Sequence, residues 1–222
     1  MAKKTKIISI ILVLTILVVC VAKYQEIYAY FTTKASKTNS FKFGEVIATV
    51  TEPNYKNNQI LKPKEEIEKD PTLSNTGKIA CYIRAQVYVP ISKEVRYIDE
   101  NENMIIPAQA QELLSYTIND GWEKVTEQGF NGVYADKDGN NYNVYTYKYV
   151  ENGEEKLIEP GEKIDVPVFS KIKAINYADM DKNVNLNLQV SALAVQPENK
   201  NVNEIWESYA NQNGTGIVGF EQ

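Results

Sequence analysis

The sequence predicts an all-β fold of two packed antiparallel sheets, from three observations. Apolar and polar residues alternate with period two through two long runs, turn signals recur between short β-prone segments, and helix signals are sparse. In residues 79–89, Ile79, Cys81, Ile83, Ala85, Val87 and Val89 form one apolar face, and Tyr82, Arg84, Gln86 and Tyr88 form the other. That strand points Cys81 inward. Residues 184–195 repeat the pattern, with Val184, Leu186, Leu188, Val190, Ala192 and Ala194 opposite Asn185, Asn187, Gln189 and Ser191. Such alternation predicts a sheet with one wetted face.

Further strands are expected over residues 45–51, 114–118, 122–126, 142–150 and 163–175, the last bending or breaking at Pro167 and Ser170. Turns at Asn119-Asp120-Gly121, Asp138-Gly139-Asn140 and Asn152-Gly153 separate them, the last suited to a two-residue hairpin. About eight strands then fill the chain, enough for two sheets. One or two short helices fit on connections. Residues 107–113 read as one, and residues 203–210 as another with Asn203 as its N-cap.

Composition bounds the chemistry. The chain has 222 residues, 43% hydrophobic and 24% charged, with 15 Tyr and 11 Gly, which is the make-up of a folded globular protein. It holds no histidine, so a Ser-His-Asp triad, a Cys-His pair and a His-ligated zinc are excluded. Twenty-eight acidic residues outside the first 29 offer many carboxylate pairs, but no spacing singles one out for glycoside hydrolysis.

Residues 1–29 read as a secretory leader: Lys3, Lys4 and Lys6, an apolar stretch over residues 7–22, then a polar end. As a helix those sixteen apolar and small residues cover roughly 24 Å, short of the roughly 30 Å hydrocarbon core, which favours export with cleavage over a retained anchor. Cys20 is a poor lipidation site, because Val19 precedes it and Val21 and Ala22 continue the apolar run. Without the leader, 20 basic and 28 acidic residues remain, a net charge of −8 that makes nucleic acid a poor partner. One cysteine, Cys81, is left, either a buried small hydrophobe or a link between chains.

Three constellations have ordinary structural readings. Asp136-Lys137-Asp138-Gly139-Asn140-Asn141 resembles a calcium loop only briefly, because Asn141 and Tyr147 stand where an EF-hand needs Gly and a bidentate Glu; a hairpin turn is expected. The acidic run over residues 99–103 reads as a solvated loop. Tyr145, Tyr147 and Tyr149 share one strand face, suited to cross-strand packing or to stacking on sugars.

The segment after the leader is the candidate site. Tyr30, Phe31, Thr32, Thr33, Lys34, Ala35, Ser36, Lys37, Thr38 and Asn39 form a polar stretch with a short alternation at Phe31, Thr33 and Ala35, ahead of the first core strand. It reads as a disordered tail or as an extended arm that pairs with an exposed sheet edge of another copy. Pairing of that kind is head-to-tail and builds filaments.

Residues along the chain match a known family in order. Ala29-Tyr30-Phe31-Thr32, Ala35, Asn39-Ser40-Phe41 and Gly44 resemble the start of the TasA/camelysin family of secreted biofilm-matrix fibre proteins from Gram-positive, spore-forming bacteria. Lys69-Asp70-Pro71-Thr72-Leu73-Ser74-Asn75-Thr76-Gly77 followed by Cys81-Tyr82-Ile83-Arg84-Ala85 is similar to the clostridial BsaA-like branch. Glu159-Pro160-Gly161-Glu162, Val168-Phe169 and Val190-Ser191-Ala192-Leu193-Ala194-Val195-Gln196 before Trp206 agree.

The resemblance implies a jelly-roll-like antiparallel β-sandwich over residues 44–222, a donor-strand arm over residues 30–43, and a leader over residues 1–29 cut by a dedicated SipW-type signal peptidase near Ala29-Tyr30. It implies a secreted homopolymer of the extracellular matrix or cell surface, working with other matrix components and a minor anchoring subunit, and needing no cofactor. The metalloprotease label carried by the camelysin name does not transfer, since there is neither an HExxH motif nor any histidine. An adhesin or carbohydrate-binding module using the Tyr145, Tyr147 and Tyr149 face is the alternative expectation, and a camelysin-like surface protease the third.

Overall fold

The computed structural model describes residues 45–55, 61–179 and 186–219, all within one compact unit, Gly44–Gln222. The leader and the arm therefore lie outside the described residues. The strands are β1 (Ala48–Thr51), β2 (Glu66–Glu68), β3 (Thr72–Asn75), β4 (Cys81–Ser92), β5 (Arg96–Ile98), β6 (Met104–Ile105), β7 (Gln111–Glu112) and β8 (Leu114–Ile118). They continue as β9 (Trp122–Lys124), β10 (Gly132–Ala135), β11 (Asn141–Glu151), β12 (Glu154–Glu155), β13 (Leu157–Ile158), β14 (Phe169–Ala174), β15 (Tyr177–Asp179) and β16 (Gln189–Val195). One helix, α1 (Val202–Asn213), follows.

The chain is all-β, a jelly-roll-like antiparallel sandwich. Its first layer is built around β4, the longest strand. On one side β11 pairs with it from Asn141↔Ile91 to Lys148↔Arg84, and β13 continues that side at Cys81 and Tyr82. On the other side β16 pairs from Gln189↔Tyr88 to Val195↔Tyr82, with β7 at Ile91 and Ser92. Beyond β11 lie β10 and β9.

In the second layer β1 pairs β3, and β14 pairs both β2 and β8. The amides of Ile164 and Val168 donate to the carbonyls of Leu73 and Pro71 at 2.8 Å, joining these pieces into one interrupted pair of strands. The register shifts between Phe169 and Ile172, so the expected irregularity at Ser170 is a bulge. A small sheet, β15-β5-β6, stands to one side.

Between the layers lies the main core, including Leu73, Cys81, Ile83, Val87, Trp122, Phe169 and Ile172. The apolar set of β4 faces it as the alternation requires, and the thiol of Cys81 is fully buried. Turn chemistry holds as well. Asn152 and Gly153, both at positive φ (55° and 85°), close the β11–β12 hairpin, and the Asp136 carboxylate accepts the amides of Asp138 and Asn140 in the β10–β11 turn.

Three expectations need correction. First, β4 has no wetted face: Arg84, Gln86 and Tyr88 are 0% exposed. Helix α1 packs Ile205 and Trp206 with Phe130, Leu193 and Val195 over one part of that face, and Ile217 joins Tyr88, Tyr142 and Val144 over another.

Second, residues 107–113 are not helical; they run as bends into β7. Pairing of Glu112 with Ile91, and the Glu112 carboxylate accepting from Asn143 Nδ2 (2.7 Å) and the Tyr145 hydroxyl, outweigh a weak local propensity. Third, α1 is capped two residues earlier than expected and runs on to Asn213 rather than ending at Ala210. Its N-cap is Asn201, whose Oδ1 accepts the Glu204 amide at 3.0 Å while Glu204 Oε1 accepts Asn201 Nδ2 at 2.8 Å.

Candidate assembly interface

All ten arm residues, Tyr30 to Asn39, and the cleavage pair Ala29-Tyr30 lie outside the described residues. What the structure describes is the strand that follows them. Residues 45–47 lead into β1, and the inner side chains of this stretch, Val46, Ala48 and Val50, pack on the main core while staying half-buried.

The segment Lys69 to Gly77, singled out in the sequence, grips both ends of this strand. At its start, the Thr76 amide donates to the Ile47 carbonyl (2.9 Å) and the Lys78 amide to that of Glu45 (2.8 Å). A Cβ on Gly77 would sit 2.2 Å from the Glu45 carbonyl oxygen, so only glycine permits this approach. At its end, Lys69 Nζ donates to Glu52 at 2.8 Å and lies 4.0 Å over the Tyr55 ring, while Asp70 accepts the backbone and side-chain N–H groups of Asn54.

Asn75 holds the corner itself. Its buried amide donates to the carbonyls of Ile79 (2.8 Å) and Ile158 (2.9 Å), and its oxygen accepts the Gly77 amide at 2.9 Å. A buried side chain with all these bonds made fixes one conformation.

With β1 so placed, its second edge has no backbone partner among the described residues, and neither has the outer edge of β16. The two strands approach within 8 Å between Cα atoms without pairing. Along this seam Val190, Ala192 and Ala194 of β16 face the core yet are only half-buried. Unpaired donors and acceptors beside small apolar side chains are what an added strand needs.

Other sequence candidates are occupied by ordinary structure. Tyr145, Tyr147 and Tyr149 turn toward the core: Tyr147 shares a hydrogen bond with Tyr116 (3.0 Å between hydroxyls), Tyr145 bonds Glu112, and Tyr149 meets Trp122 edge-on at 5.4 Å. They form no exposed stacking platform. Asp99 accepts the amides of Asn101 and Asn103, which hold its carboxyl below the ordinary range. Among the described residues no group of three or more His, Cys, Asp or Glu is placed to hold a metal ion.

Sequence reasoning missed a buried charge cluster. Arg84 Nε and Nη2 donate to the two carboxylate oxygens of Glu155 (3.1 and 2.9 Å), Nη2 also to Glu127 (2.9 Å), and Trp206 Nε1 donates to Glu155 at 2.8 Å. The guanidinium lies 4.5 Å from the Trp206 ring, which attracts it as a cation. For Glu127, burial pushes the carboxyl up, but backbone N–H groups and Arg84 outweigh it and leave the group lowered. This cluster bolts α1 and the 125–131 connection to β4.

No family model, no curated protein and no solved structure matches this chain.

Proposed function

We propose that this protein is a secreted structural subunit of extracellular biofilm-matrix fibres, polymerising head-to-tail as the arm of residues 30–39 adds a strand to the next subunit. The single observation that carries this reading is the seam between β1 and β16: two strand edges unpaired among the described residues and lined by half-buried Ala48, Val50, Val190, Ala192 and Ala194. The order of residues resembling the TasA/camelysin family supports it, and the Lys69-to-Gly77 segment of that resemblance is the one that sets the seam's wall.

Spacing supports one way for the arm to dock. A strand seated between two others needs about 9.6 Å, twice the interstrand distance. The seam is narrower, with β1 and β16 within 8 Å. The incoming arm therefore joins one edge and displaces the other strand outward, which gives assembly an opening step before the ladder forms. Once formed, many backbone bonds must break together for a subunit to leave.

Deleting residues 30–39 leaves a folded monomer that makes no fibres, and the same arm supplied as a free peptide caps growth of the intact protein. Electron microscopy and light scattering read both effects. Undiminished fibre yield from the deletion would sink the reading.

A further inference from the structure

We propose that the outer face of β4 and β11 is a binding groove for an extended peptide, filled within one chain by its own residues 215–219 and able to take the same segment of a second copy. The contacts are those of peptide recognition rather than of a packed loop. Gln86 uses both ends of its amide on the segment's backbone: Nε2 donates to the Gly216 carbonyl at 2.8 Å, and Oε1 accepts the Val218 amide at 3.1 Å. That donor and acceptor pair, spaced two residues apart, is what a neighbouring strand would offer. The Tyr88 hydroxyl donates to the Val218 carbonyl, and the Gly216 amide donates to the Gly129 carbonyl at 3.0 Å.

Side-chain selectivity is built in. A Cβ at position 216 would lie 2.5 to 2.8 Å from three carbons of the buried Phe130 ring, so that position demands glycine, while one at 219 would meet only the Tyr134 hydroxyl at 2.6 Å, the far end of a side chain that can shift. Ile217 between them packs into Tyr88, Tyr142, Val144 and Tyr134. Val218 is 38% exposed and leaves its position open. The groove thus reads Gly, an aliphatic residue, then any residue.

The occupant is argued from the tether. Helix α1 ends at Gly214 in the left-handed conformation (φ 72°), and the segment beyond it makes no strand pairing among the described residues. Because a second copy carries the same residues, its segment makes the same bonds in the same groove. Exchange costs only the advantage of the tether, as in domain swapping. This contact uses neither the arm nor the β1–β16 seam.

The test uses full chains. In a strap variant, Gly216→Val with Ile217→Asp, the groove is vacated. A labelled peptide of residues 214–219 then binds it saturably, while the unsubstituted chain, whose own strap competes, binds it at least about ten-fold more weakly. The tagged strap variant also captures the unsubstituted chain, but not a second strap variant. A strap variant that keeps its β circular-dichroism spectrum and captures neither peptide nor chain overturns the proposal.

If that variant loses its β spectrum, the unsubstituted chain is the probe instead, with a peptide carrying photo-leucine at position 217. Cross-links to Tyr88, Tyr134 or Tyr142 uphold the groove, and their absence at saturating peptide overturns it.

Discussion

Arg84 clamps Glu155 through two parallel hydrogen bonds, Nε to Oε1 at 3.1 Å and Nη2 to Oε2 at 2.9 Å, with both side chains buried beneath helix α1. Removing Arg84 strands the Glu155 carboxylate away from water, and removing Glu155 leaves the buried guanidinium with Glu127 as its one remaining charged partner. Arg84→Met and Glu155→Leu are each expected to cost about 3–5 kcal/mol, and the double substitution markedly less than their sum. Urea unfolding of the three variants measures this. Additive losses would mean that the pair is not coupled.

Asn75 is expected to be as sensitive, for a different reason. Asn75→Ala leaves the Ile79 and Ile158 carbonyls and the Gly77 amide without their partner, at about 1–3 kcal/mol for each group that water cannot reach. Gly77→Ala acts on the same corner by collision with the Glu45 carbonyl. Hydrogen exchange should quicken at Thr76 and Lys78, whose amides bond residues 45–47, before it quickens in β4. Uniform quickening across the sandwich would count against a local role.

Cys81 is expected to be silent. Burial pushes its thiol up to about 11, and the side chain has no exposed surface. Iodoacetamide at pH 8 should leave the native protein unmodified and alkylate it fully in urea. Nonreducing gels should show no disulfide-linked dimer. Rapid native alkylation would refute the inward placement.

These residues also mark where the sequence is legible. The alternation in residues 79–89 places Cys81, Ile83, Val87 and Val89 in the core, and the strand over residues 114–118 coincides with β8. The Asn152-Gly153 and Asp138-Gly139 turns are equally readable, because a positive φ or an Asx bond is a local property of the residue. The arm, the candidate site, is named by residue order alone. The Lys69-to-Gly77 segment is visible as a motif, but its grip on β1 is not.

The sequence by itself determined which face is apolar in the two long alternating strands, where several turns fall and that histidine chemistry is absent. Only the tertiary structure decided what becomes of the polar faces. Period-two patterning records the polarity of a side chain but not its partner, and the partners here are remote: Glu155 lies 71 positions from Arg84, and Gly216 lies 130 from Gln86. A polar residue is buried or wetted according to whether a distant group meets its hydrogen bonds, and that meeting exists only once the chain has folded.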